Sequence, residues 1–164
     1  MSESSELTSA KPGESGKPLD ENDNVIRLGL EQSNYKEIGA NHFRLSSTEK
    51  KQDWKRISVW ETSLTNIDQV KSILTNPKRK LAMNLNVGDV RSIALDGQVE
   101  LDVKWDRLSD CIDEDGNKSI NYTKGCEGHC GLEGVYPKGK KLRKKLRKKL
   151  ANLAMSSEWH LIED

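Results

Sequence analysis

The sequence predicts an α+β fold: a small mixed or antiparallel sheet with two to three helices, behind a disordered N-terminal tail. Three observations predict it. Several short segments between residues 24 and 105 alternate apolar and polar side chains, the period of a strand with one buried face. Two others, 65–75 and 138–155, repeat at helical spacing instead. Finally, residues 1–24 hold six acidic and two basic side chains among Ser, Gly and Pro, with no apolar period. Such a segment buries too little surface to offset the entropy of ordering. The expected division is therefore an acidic tail, 1–24, and a single domain, 25–164. A 164-residue chain is long enough to fold without a metal or a disulfide framework.

In chain order, NVIRLGL (24–30) is a weak strand. ANHFRLSS (40–47) alternates better, with Phe43 and Leu45 on one face and His42 and Arg44 on the other. ISVWETS (57–63) is β-branched and aromatic, a second strand signal. Thr65 or Asn66 can cap a following helix whose apolar face is Ile67, Val70, Ile73 and Leu74; Asn76-Pro77 ends it. RKLAMNLNV (79–87) places Leu81, Met83, Leu85 and Val87 on one face. GDVRSIAL (88–95) reads as a short helix and VELDVKW (99–105) as a strand. A glycine-rich loop follows, whose end, GLEGVY, could add a last short strand. The predicted order is β-β-α-β-α-β-loop-α.

The last helix, about 138–155, is the most pointed feature. Nine of the thirteen residues from Pro137 to Lys149 are Lys or Arg, and none is acidic. Leu142, Leu146, Leu150 and Leu153 fall on one narrow stripe, which predicts that they anchor the helix. Like charges at i, i+4 repel by a few tenths of a kcal/mol per pair, and cations oppose the dipole at a helix N-terminus. Burying a leucine contributes roughly 1.5–3 kcal/mol, so docking outweighs that repulsion. Docked, the helix would present a cationic ridge to a phosphate backbone, with Lys140, Lys141, Arg143, Lys144, Lys145, Arg147, Lys148 and Lys149 as contacts. A membrane interface would want a wider apolar face, and an acidic protein is a further partner for the same ridge. Aromatics are few, and three of the four tryptophans sit at core-like strand positions, which favours backbone contact over base stacking.

Other motifs carry less. Cys126, His129 and Cys130 lie within five residues, with Cys111 upstream, but a second pair of zinc ligands is missing. Cys126 or Cys130 with His129 could form a nucleophile and base. A calcium loop fails: Gly116 at its sixth position sets Cys111 first and Tyr122 twelfth, where carboxylates belong. No P-loop or Rossmann glycine motif occurs. Arg44, Ser58 and Glu133, in that order, resemble the Arg–Ser–Glu pattern of ADP-ribosyltransferase-type domains. That resemblance, which rests on these three residues, implies an arginine on phosphate or ribose, a serine positioning the nicotinamide ribose and a glutamate at the oxocarbenium-like centre. Phosphate chemistry with His42 as base and Arg44 as clamp is another enzymatic reading.

The expected function is thus a small binding protein that contacts nucleic acid or another polyanion, largely without sequence preference. The alternatives are a small enzyme or toxin-like effector using Arg44, Ser58 and Glu133, or an interaction module for an acidic protein. No cofactor is implied. Three cysteines, no transmembrane-length apolar run and a polar N-terminus predict reduced thiols and a cytoplasmic protein.

Overall fold

The computed structural model describes residues 16–30, 40–43, 56–74, 79–94, 101–106, 126–136, 138–157 and 159–161, with Gly97, Asn117 and Ile120. Among them are six strands: β1 (Asn24–Leu30), β2 (Ile57–Glu61), β3 (Arg79–Asn86), β4 (Asp102–Trp105), β5 (His129–Glu133) and β6 (Trp159–Leu161). Three α-helices accompany them: α1 (Ile67–Leu74), α2 (Val87–Arg91) and α3 (Lys140–Ser156). The strands form one sheet in the order β4-β5-β2-β1-β3-β6, every neighbour antiparallel. The fold is α+β. Since β2 and β3 both oppose β1, they run parallel to each other, and α1 is the crossover between them.

Strand alternation divides the side chains between the two faces. One face carries the main core: Val25, Ile57, Val59, Leu81, Met83, Leu85, Val103, Trp105, Cys130 and Leu132, covered by α2 and α3. The other buries a smaller cluster, Ile26, Leu28, Trp60 and Ala82 against Val70 of α1, with Ile67 and Ile73 beside it. α1 covers this face over β1 and β3, with Trp60 of β2 in the same cluster. Where β4 and β5 continue it, the alternation places polar residues: Asp102, Lys104, Asp106, His129, Glu133 and, from the β2 segment, Arg56 and Ser58.

Local signals in the sequence account for most boundaries. Asn66 caps α1, its Oδ1 accepting from the Gln69 N–H at 2.9 Å. Asn86 does the same for α2, accepting from the Asp89 N–H at 3.0 Å. Arg91 at the end of α2 donates from Nε to Asp102 Oδ1 at 2.7 Å and from Nη2 to the Leu19 carbonyl, fixing α2 to β4. Residues 16–23, which composition assigns to the tail, run along the outer edge of β4. The Leu19 N–H donates to the Val103 carbonyl and the Trp105 N–H to the Lys17 carbonyl, and Leu19 is buried in the core. The packed chain therefore begins by Gly16. Residues 1–15 lie outside the described residues.

Two expectations are corrected. The strand expected from residue 40 is instead a 3-10 turn at Ala40–Phe43; residues 44–47 lie outside the described residues. Phe43 is buried in the main core and His42 lies against Gly29. A Cβ on Gly29 would stand 2.7 Å from His42 Cδ2 and 3.1 Å from Met83 Cε, so glycine is what lets this turn press onto the sheet. The second correction is at the C-terminus, where α3 is not the last element: β6 follows and pairs with β3.

Candidate functional site

Two features gather the residues picked out by sequence: the outward arc of α3 and the polar end of the sheet face beside α1.

α3 is anchored by Leu146, Leu150, Ala151 and Ala154, all in the main core, with Leu153 partly buried. Leu142 is 39% exposed and does not anchor, which corrects the four-leucine stripe. It lies in the first turn, and the buried contacts begin one turn later. Lys140, Lys141, Lys144, Lys145, Lys148 and Lys149 are exposed, with Arg143 and Arg147 on the flanks. Among the described residues, none of these eight forms an ion pair with a carboxylate. Arg143 instead lies 5.7 Å over the Tyr136 ring, whose hydroxyl donates to the Phe43 carbonyl at 2.8 Å. Gly139 is the N-cap and supplies no side-chain oxygen, so the positive end of the helix dipole adds to the lysines.

At the sheet, register decides which residues meet. Ser58 pairs with Gly131 and Trp60 with His129 across β2 and β5, so Ser58 and His129 are diagonal neighbours on one face. His129 Nε2 is 3.0 Å from Ser58 Oγ, and Nδ1 is 2.8 Å from the backbone carbonyl of Asp106. The ring stands edge-on to Trp60, with centroids 4.7 Å apart. The Asp106 carboxylate is buried, and its Oδ2 lacks a hydrogen bond; the nearest cation, Arg56 Nη1, is 3.8 Å away, an ion pair too long to be one. Gly131 makes room for this pair. A Cβ there would meet Arg56 Cδ at 3.0 Å and Asp106 Oδ2 at 3.5 Å. Beside them Lys104 Nζ is 2.8 Å from Glu133 Oε1. The bond to that carboxylate and its charge raise the Lys104 pKa.

The other candidates are dispersed. Arg44 and Cys111 lie outside the described residues. Ser58 and Glu133 share a face on adjacent strands, but Ser58 is bonded to His129 and Glu133 is paired with Lys104. His42 is buried on the opposite face, and what joins it to Ser58 is Arg27, whose Nε donates to the His42 carbonyl and Nη1 to the Ser58 carbonyl. Cys130, next to His129, points into the main core, away from it. Its thiol donates to the Gly128 carbonyl, and burial raises its pKa well above the usual range. Among the described residues no group of three or more His, Cys, Asp or Glu side chains is placed to hold a metal ion.

No protein-family model, curated protein or solved structure matches the chain. The reading of function therefore rests on the molecule alone.

Cys126 is disulfide-bonded, which corrects the expectation of three reduced thiols; an odd count guarantees only one thiol left over. That thiol is Cys130, buried and protonated. A thiol titration is expected to find no reactive group in the native protein, one in denaturant, and three in denaturant after reduction. Three without reductant would show that Cys126 carries no disulfide.

Arg56, Asp106 and the pairing of Ser58 with His129 were not picked out by sequence. Alternation in KRISVWE sets Arg56, Ser58 and Trp60 on one face, and HCGLE sets His129, Gly131 and Glu133 on one face. The register that brings the two sets together is not written in either segment.

Proposed function

We propose that the protein binds nucleic acid or another polyanion through α3, by its phosphate backbone and largely without regard to sequence. The observation that supports this is a pinned helix with an un-neutralised outer arc. Buried leucines hold α3 on the sheet, while six exposed lysines repel one another with no carboxylate partner among the described residues. An approaching phosphate backbone relieves that repulsion and releases its own counterions, and both effects favour binding. Residues 140–149 rise about 1.5 Å each, roughly 15 Å of ridge, enough to follow several phosphates.

Fluorescence anisotropy with a short RNA and a short DNA duplex across a salt series tests the reading. Log K is expected to fall linearly with log salt, with a slope of about −0.9 per duplex phosphate engaged. A variant with Lys140, Lys141, Lys144, Lys145, Lys148 and Lys149 changed to Gln should lose most of that slope and keep its circular dichroism. Absence of binding to both at low salt would overturn the proposal. An acidic protein partner would bind with a weaker salt dependence, because apolar surface would contribute.

The compartment turns on Cys126. No described helix is long and apolar enough to cross a membrane. A stable disulfide belongs to an oxidising compartment, and the cytoplasmic setting expected from sequence requires reduced thiols. The thiol titration above separates the two.

A further inference from the structure

We propose that Ser58 and His129 form a nucleophile–base pair that hydrolyses carboxylic esters. The site lies on the sheet face opposite α3, so this proposal and the polyanion reading stand or fall separately.

The hydrogen bonds fix the roles. A backbone carbonyl can only accept, so His129 Nδ1 carries a proton and donates it to the Asp106 carbonyl. In the neutral ring Nε2 then holds the lone pair, and at 3.0 Å it accepts the Ser58 hydroxyl proton. Nucleophile, base and a third group that orients the base are the three parts of an activated serine. Trp60, edge-on to the imidazole, holds the ring in place. His129 is buried, whereas Ser58 is partly exposed, so the hydroxyl is the end of the pair that a substrate can reach.

A second observation points to a ligand. Asp106 Oδ2 is buried without a hydrogen bond and lies over Gly131, the residue paired with Ser58. A buried carboxylate oxygen in that condition costs free energy until a donor reaches it. The charges around the serine favour an uncharged substrate. Among the described residues Arg56, Arg91 and Lys104 are each set against a carboxylate, those of Asp106, Asp102 and Glu133, and this balance offers no attraction to a phosphate group. The substrate class is therefore a neutral carboxylic ester carrying an O–H or N–H donor near the scissile carbonyl, placed to satisfy Asp106 Oδ2.

The chemistry closes without an oxidant or a metal. Ser58 Oγ bonds to the ester carbonyl carbon as its proton moves to His129 Nε2. The ester C–O bond breaks, and the departing alcohol takes that proton. Water then attacks the acyl-serine, giving its proton to Nε2. The proton returns to Ser58 Oγ as the carboxylic acid leaves.

The test is labelling of the full-length protein with a fluorophosphonate, read by intact mass and peptide mapping. One adduct on Ser58 is expected, none on Ser58→Ala, and a burst of p-nitrophenol from p-nitrophenyl acetate that Ser58→Ala also abolishes. His129→Gln should slow labelling by about 100-fold or more, the usual scale of general-base assistance, with circular dichroism unchanged. Should His129→Gln fail to fold, the pH profile of the wild-type protein carries the same information. The labelling rate should rise through the range in which an imidazole loses its proton. A protein that forms no adduct, an adduct elsewhere, or a labelling rate flat across that range would overturn the proposal.

Discussion

Leu146→Asp is expected to abolish the folded state, while Leu142→Asp leaves it intact. The two leucines lie one helical turn apart in the same repeat, and the aspartate is equally foreign to both. Leu146 is fully buried in the main core beside Leu150, Ala151 and Ala154, whereas Leu142 is 39% exposed. Removing a buried leucine side chain costs roughly 2–5 kcal/mol. An unpaired carboxylate in its place adds several more, because the lysines able to neutralise it are on the outer arc. That sum approaches the 5–15 kcal/mol that holds a domain of ordinary stability together. At position 142 the same carboxylate meets water, the positive end of the helix dipole and the neighbouring lysines, so stability should hold or rise slightly. Thermal melting followed by circular dichroism decides the matter. Equal melting temperatures for the two variants would show that α3 is not held by its buried face.

This pair of residues also shows how far a hydrophobic repeat can be read. Leucine spacing identified α3 and its buried side, because the i, i+4 pattern is a property of the helix alone. Which turns of the stripe reach the core depends on where the sheet ends, and that is a tertiary fact. β1, β2, β3 and β4 were legible for the same local reason, and Asn66 marked the start of α1 through its capping oxygen; the Asn86 cap of α2 lies inside what alternation reads as strand. The 40–47 segment misled because Phe43 alternates with His42 as it would in a strand. What holds Phe43 is a turn pressed on Gly29 and tied down by Tyr136, far along the chain. β6 is three residues long and follows a helix, too short for any periodicity to register.

The polar face of the sheet was legible only as separate residues. Ser58, His129 and Glu133 each drew attention, but as members of other groupings: Ser58 with Arg44 and Glu133, His129 with two cysteines. Adjacent residues in a strand point to opposite faces, which sends Cys130 into the core and leaves His129 on the other side. Antiparallel register then sets His129 against Trp60 and diagonal to Ser58, a contact spanning 71 residues of sequence. Asp106 orients His129 through its carbonyl, a group every residue carries, and its carboxylate reaches Gly131 only through the fold. No composition or spacing rule could have singled it out.

Arg27→Leu is expected to lower stability by about 3 kcal/mol or more, although the substitution puts an apolar side chain into a buried site. β1 and β2 pair at Val25–Glu61 and Ile26–Trp60, and the ladder goes no further. Beyond that point the Arg27 guanidinium takes over the bonding. Nε donates to the His42 carbonyl at 2.7 Å and Nη1 to the Ser58 carbonyl at 2.8 Å, with the side chain almost wholly buried. One planar fork thus holds the 40–43 turn, β1 and the start of β2 together. Leucine would leave both carbonyls short of a donor, at roughly 1–3 kcal/mol each, and its added apolar burial offsets only part of that. Arg27→Lys keeps the charge but lacks the rigid fork needed to reach both oxygens, so it should fall between leucine and wild type. Urea unfolding measures this directly: the midpoint should drop in the order Arg, Lys, Leu with the slope unchanged. The same order should appear in fluorophosphonate labelling, because the Ser58 carbonyl that Arg27 holds sets where the Ser58 hydroxyl points. A loss below about 1 kcal/mol for Arg27→Leu, the scale of one ordinary hydrogen bond, would mean that β1 and β2 are held by packing alone.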